Sequence, residues 1–182
     1  MARYILEELE SKKIILNKLI MTGTPNQGTH IAKNKNWNSL FNILINGGAL
    51  VPVIGKIVTI LKFAGNRVLQ LPGIDDMELG SKLFDELNNK DFDRSNYYVF
   101  ISNYEPANLA GNALDQLLDV KIFENYENDT VTTVKSAMFE YSDTVAHLSN
   151  DQIELISIED GINHFGYFKS ENIVKKAVEL LK

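Results

Sequence analysis

The stretch NKLIMTGTPNQGTHIA, residues 17–32, decides the fold class. Its first six residues form a short apolar run that ends at Gly23 and Pro25, the pattern of a buried strand feeding a turn. Working outward, YYVFIS at 97–102 is β-branched and aromatic and predicts a second strand, and QIELISI at 152–158 predicts a third by its isoleucines. Residues 120–123 add a further short strand before the loop NYENDTVTT.

Helical patterns lie between and around these runs. Residues 2–10 place Ala2, Ile5, Leu6 and Leu9 at helical spacing, with Arg3, Glu7, Glu8 and Glu10 left for the polar side. Leu83, Phe84 and Leu87 mark a short helix, and Leu109, Ala113, Leu114, Leu117 and Leu118 another. The closing helix starts with Ser170 as cap and Glu171 at its positive end, and carries Ile173, Val174, Ala177, Val178 and Leu181 on one apolar face. Strands alternating with helices predict an α/β fold with a mainly parallel sheet. The first helix begins at Met1 with no Ser, Thr, Asp or Asn cap, which predicts a chain cut from something longer.

The most apolar region, residues 37–71, reads as two helical pieces at 37–45 and 52–64 separated by the Gly47-Gly48 pair. Asn42, Asn46, Pro52, Lys56 and Lys62 interrupt it, so it lacks the run of about 20 apolar residues that a transmembrane span requires. Residues 1–13 mix acids and bases where a secretory signal needs a basic start and an unbroken apolar stretch, which favours a cytoplasmic location. Among 182 residues, 45% are apolar and 23% charged, a composition that argues against disorder. The net charge of -6, with no Lys/Arg-rich stretch, argues against nucleic acid as a partner. The absence of cysteine excludes disulfides and thiolate chemistry.

Gly23 and Gly28 match the glycine spacing of a phosphate-binding loop, and a strand precedes them. That loop needs Lys and then Ser or Thr after its second glycine, whereas this chain has Thr29 and His30. The bland reading of Pro25 and Gly28 is a tight turn after a core strand.

Three stretches taken together resemble the lipase and esterase branch of the α/β-hydrolase superfamily. KLIMTGTPNQGTHIA (18–32) is similar to the strand after the nucleophile helix and its Gly-Thr-Pro-x-x-Gly turn. NDTVTTVKSA (128–137) is similar to the acid loop, in which an Asp is followed by Val and a Ser-Ala pair, and Asn163-His164 sits where that family keeps its histidine before the last helix. More weakly, LPGIDDMELGSKLFDELN (71–88) resembles the segment between lid and next strand, and MARYILEEL (1–9) the helix directly after the serine elbow.

The resemblance covers nearly the whole chain but only the C-terminal half of that fold, so it implies a single partial domain. In it, 1–35 hold the post-nucleophile helix, strand and turn, 36–71 a lid-like helical insertion, and 72–182 the C-terminal strands with the acid and histidine loops. It implies Asp129 and His164 as second and third members of a Ser-Asp-His triad, in the chain order that this fold uses. No Gly-x-Ser-x-Gly occurs anywhere in the sequence. Serine and oxyanion donors would come from upstream of Met1 or from another polypeptide, and the chain alone is expected to be hydrolytically inactive. The implied substrate is a carboxylic ester, small or lipid, with no cofactor and no metal.

Residues 37–71 would either cover the site and touch a lipid interface or pack on the sheet. An incomplete sheet implies self-association or pairing with the missing half. The alternative to the enzyme is a non-catalytic interaction module derived from a truncated hydrolase fold. Asp119, Asp143 and Asp160 are rivals to Asp129, and Asp160 could instead brace the histidine loop. His30 and His147 are rivals to His164 and read as structural.

Overall fold

A computed structural model describes residues 2–8, 17–33, 73, 75–105, 116, 118–141, 148–157 and 160–182. The lid-like region at 36–71, most of the helix expected near 109–118, and the rivals Asp143 and His147 lie outside them. Three parallel strands form the sheet in the order β1 (Leu19–Thr22), β2 (Tyr97–Ser102) and β3 (Ile153–Ile156). The register pairs Leu19 with Tyr97 and Thr22 with Phe100 on one side of β2, and Val99 with Ile153 and Ser102 with Ile156 on the other. With helices packed around a parallel sheet, the chain is of the α/β class, as the alternation of patterns implied.

Among the described residues, the α-helices that accompany the strands are α1 (Ala2–Glu8), α2 (Lys82–Asn88), α3 (Val134–Ala137) and α4 (Glu171–Leu180). Strand side chains alternate between faces, and β2 sorts its residues accordingly. Tyr97, Val99 and Ile101 join Met21, Val134, Ala137, Phe139 and Leu148 in one core, while Phe100 joins Ile156, Tyr167 and Ile173 in the other. As the central strand, β2 is apolar on both faces because helices or loops cover each of them.

Helix α4 begins where its cap predicts, with the Ser170 hydroxyl accepting from the Ile173 amide at 3.4 Å. Ser170→Ala should cost about 1 kcal/mol, read as a fall of about 2–4 °C in a thermal melt. Its apolar face is narrower than the sequence suggests. Ile173, Ala177 and Leu180 pack toward Phe100 and Ile156, while Val174, Val178 and Leu181 are exposed. A single i, i+4, i+7 stripe fills the space above the short sheet, and among the described residues the adjacent stripe finds nothing to cover it.

Two other expectations are overturned. Asp119–Phe123 forms a π-helical turn, not a strand. Ile122 is buried while Val120, which would share its face in a strand, is exposed. The second reversal is in α1, where Arg3 and Glu7 are buried and Tyr4 and Ile5 exposed.

A buried ion cluster turns α1 round. Glu7 accepts from Arg3 Nε at 2.8 Å, from Arg94 Nη2 at 3.1 Å and from the Tyr97 hydroxyl at 3.0 Å. Arg3 also donates to the Asn26 carbonyl at 2.7 Å and to Asn88 Oδ1 at 2.9 Å, and both guanidinium groups face the Phe139 ring. Burial lowers the Arg3 guanidinium below its ordinary value, opposed by its bond to Glu7. Burial and the Glu7 charge push the Tyr97 phenol well up. The helix inverts because charges that are paired and hydrogen-bonded are buried at less cost than unpaired ones.

Among the described residues, no helix is long and apolar enough to cross a membrane.

Candidate active site

The three motif-bearing segments meet at the carboxyl ends of the strands, where open parallel sheets bind ligands. The Gly23 amide, just past β1, donates to the Phe100 carbonyl of β2 at 2.9 Å. The acid loop lies over both strands: Tyr104 N donates to Asn128 O at 2.9 Å, and the Thr132 hydroxyl donates to Gly23 O at 2.9 Å. The turn at Asn26–Gly28 is tied to α3 by Ser136, whose hydroxyl donates to Gly28 O at 2.6 Å and accepts from Gln27 N at 3.2 Å. Thr29 donates in turn to the Val131 carbonyl. The Val131 and Ser136-Ala137 signature thus has a physical purpose, because it fastens the acid loop to the turn.

Asp129 is fully buried. Its Oδ1 accepts from the amides of Val131 at 3.0 Å and Thr132 at 2.7 Å, a local side-chain turn that fixes the carboxylate plane. Thr130 pays for that turn with a positive φ of 82°, rare for a β-branched residue and of the kind that clusters at functional sites. Asn128 Oδ1 accepts from its amide at 2.8 Å and holds the strained residue in place.

His164 is latched to this loop twice. Its amide donates to the Asp129 carbonyl at 2.8 Å, and its Nδ1 lies 2.9 Å from Asp129 Oδ2. An ionised carboxylate can only accept, so the shared proton sits on Nδ1 and Nε2 keeps its lone pair in the neutral ring. The imidazole side chain is 26% exposed above a carboxylate that is not exposed at all. The ring meets Phe165 and Tyr167 edge-on, with centroids 5.5 and 6.2 Å away. Chemically, this is a partly exposed imidazole with one nitrogen outside the pair, backed by a desolvated anion.

Two residues to which sequence reasoning gave no part beside the pair complete the arrangement. Tyr167, buried within the second core, donates its hydroxyl to Asp129 Oδ2 at 2.8 Å and accepts from Ser102 N at 3.0 Å. Burial and the Asp129 charge push its phenol well above the ordinary value. No pattern marks it beyond its place three residues after His164.

Gly23 is the second. With φ of +57°, a Cβ there would lie 2.6 Å from both Asp129 Oδ2 and Tyr167 Cε2 and 3.0 Å from His164 Nδ1. Gly23→Ala should therefore destabilise the protein by about 2–5 kcal/mol through backbone strain and overpacking. A urea titration tests this. A loss below 1 kcal/mol would show that the pair yields without strain.

The rivals have other work. Asp119 accepts from Asn128 Nδ2 at 2.7 Å and so supports the acid loop from beneath; burial raises its carboxyl, opposed by that bond. Asp160 is exposed, and Asp129 is the carboxylate that meets the His164 ring. His30 is buried against the rings of Tyr126 and Tyr141, at 5.8 and 5.7 Å. In the glycine turn, the amides of Gly23, Asn26, Gln27, Gly28 and Thr29 all donate within the protein and leave no cradle for phosphate. Among the described residues, no group of three or more His, Asp or Glu is placed to hold a metal ion.

The family described as a domain of unknown function, DUF7379, matches residues 1–182. No curated protein matches the chain, and no solved structure does so either. Matched over its whole length, the chain belongs to the DUF7379 domain family.

Proposed function

We propose that this domain is the acid–base portion of a lipase- or esterase-like serine hydrolase, the C-terminal part of an α/β-hydrolase fold with a lid-like insertion at 36–71. The observation that carries the reading is the 2.9 Å contact between a buried Asp129 carboxylate and the Nδ1 of a partly exposed His164 at the carboxyl ends of parallel strands. A serine supplied from outside this sequence would attack an ester carbonyl as His164 Nε2 takes its proton. Asp129 stabilises the imidazolium, which then returns the proton to the departing alcohol. Water, activated by the same nitrogen, would release the acid from the acyl-enzyme.

A second reading, a module that binds without catalysis, is favoured by a groove of about 690 Å³ along β1. Leu19, Ile20, Met21, Phe84 and Phe168 contribute its apolar lining. Assaying short-chain p-nitrophenyl esters separates the two readings. The chain alone should hydrolyse them no faster than free imidazole does. Coexpressed with the product of the coding sequence immediately upstream, it should show turnover that requires His164. A serine-bearing complex without His164-dependent turnover overturns the enzyme and leaves the binding module.

A further inference from the structure

We propose that Tyr167 is a positioning residue, which divides the charge of Asp129 Oδ2 between its own hydroxyl and the His164 imidazole and references the pair to the end of β2. The inference rests on the hydrolase reading for its catalytic meaning. Donor and acceptor chemistry gives the chain of contacts one polarity. A backbone amide only donates, so the Tyr167 oxygen accepts from Ser102 N at 3.0 Å. The ionised carboxylate only accepts, so the phenolic hydrogen lies on the 2.8 Å line to Asp129 Oδ2.

The same Oδ2 meets His164 Nδ1 at 2.9 Å and thus serves two donors, while Oδ1 is occupied by the amides of Val131 and Thr132. The shared carboxylate and the phenol lie out of water, because Asp129 is 0% and Tyr167 1% exposed. In such surroundings each bond to one oxygen weakens that oxygen as an acceptor toward the other donor. The two Oδ1 bonds already fix the carboxylate plane, so the separate contribution of Tyr167 is to set how strongly Oδ2 draws the Nδ1 proton. With the phenol raised by burial and by the Asp129 charge, the hydroxyl stays a donor.

The test uses the full chain labelled with ¹⁵N-histidine; with 3 histidines in the sequence, His164→Gln assigns the resonance. The wild type should show a low-field Nδ1–H proton. Tyr167→Phe should move it further downfield, because Oδ2 regains density for its one remaining donor. Site-specific 3-fluorotyrosine at 167, a stronger donor of nearly the same shape, should move it upfield. This second variant decides the matter if Tyr167→Phe does not fold.

An Nδ1–H proton at the same position in the wild type and the folded variants overturns the proposal, as does a wild-type ring protonated on Nε2 alone. A proton that responds in a protein without His164-dependent hydrolysis supports the role of Tyr167 and overturns the hydrolase reading. An unresponsive proton in an active complex overturns the role of Tyr167 alone.

Discussion

On the proposed hydrolase reading, His164→Ala in the serine-completed protein is expected to lower ester turnover by about 10⁶-fold, with Asp129→Asn costing about 10⁴-fold. The two differ because the residues do different things. Without His164 no group accepts the serine proton, whereas without the Asp129 charge the imidazole is present but its tautomer and its cation are no longer supported. An asparagine at 129 would turn an amide or a carbonyl toward Nδ1. With the amide facing the ring, the proton moves to Nε2 and the lone pair needed for proton transfer is lost.

Double substitution should cost no more than His164→Ala alone, since the carboxylate acts through the ring. Steady-state kcat/KM on a single ester measures all three. Losses that add, or an Asp129→Asn variant within tenfold of wild type, would remove Asp129 from the mechanism and reopen the question of the acid.

The second large effect concerns the ion cluster beneath α1. Glu7→Ala should destabilise the protein by about 3–5 kcal/mol, because it strands two buried guanidinium groups that lose their common anion. That is a large part of the roughly 5–15 kcal/mol available to a domain of ordinary stability. Arg3 retains its bonds to Asn26 O and Asn88, and Arg94 retains the Leu87 carbonyl, so the failure is electrostatic and not a loss of every contact.

Replacing Arg3, Glu7 and Arg94 together by Met, Leu and Met should restore most of the loss, since a well-packed apolar trio carries no desolvation cost. Chemical denaturation of the single and triple variants distinguishes this account from simple packing. If Glu7→Ala costs less than 1 kcal/mol, or the triple variant is no better than the single, the cluster does not hold α1.

The strands were legible because burial imposes a local signature. YYVFIS is β2 residue for residue, and QIELISI contains β3 with a margin of one or two residues. The central β2 sits between covered faces, so every position favours an apolar or β-branched side chain, whereas β3 exposes Leu155 and keeps its isoleucines against β2. The Ser170 cap was legible for a similar reason, since its partner amide lies three residues along the same chain.

Elements whose environment comes from far away were misread. The polar side of α1 faces inward because Asn88, Arg94 and Tyr97 wait for it, between 85 and 90 residues further along. Residues 120–123 have strand composition, but they run on from a helical Leu118 and bury two consecutive side chains.

The sequence by itself determined the class of sheet, and its resemblance to the hydrolases pointed to Asp129, through Val131 and the Ser136-Ala137 pair, and then to His164. Only the tertiary structure decided that Asp129 and His164 touch, and that Tyr167 shares the same oxygen while Gly23 leaves room for all three. Periodicity and turn chemistry are local properties of the chain and can be read along it. A hydrogen bond between loops on different strands depends on sheet register and on where glycine permits close approach, so it exists only once the chain has folded.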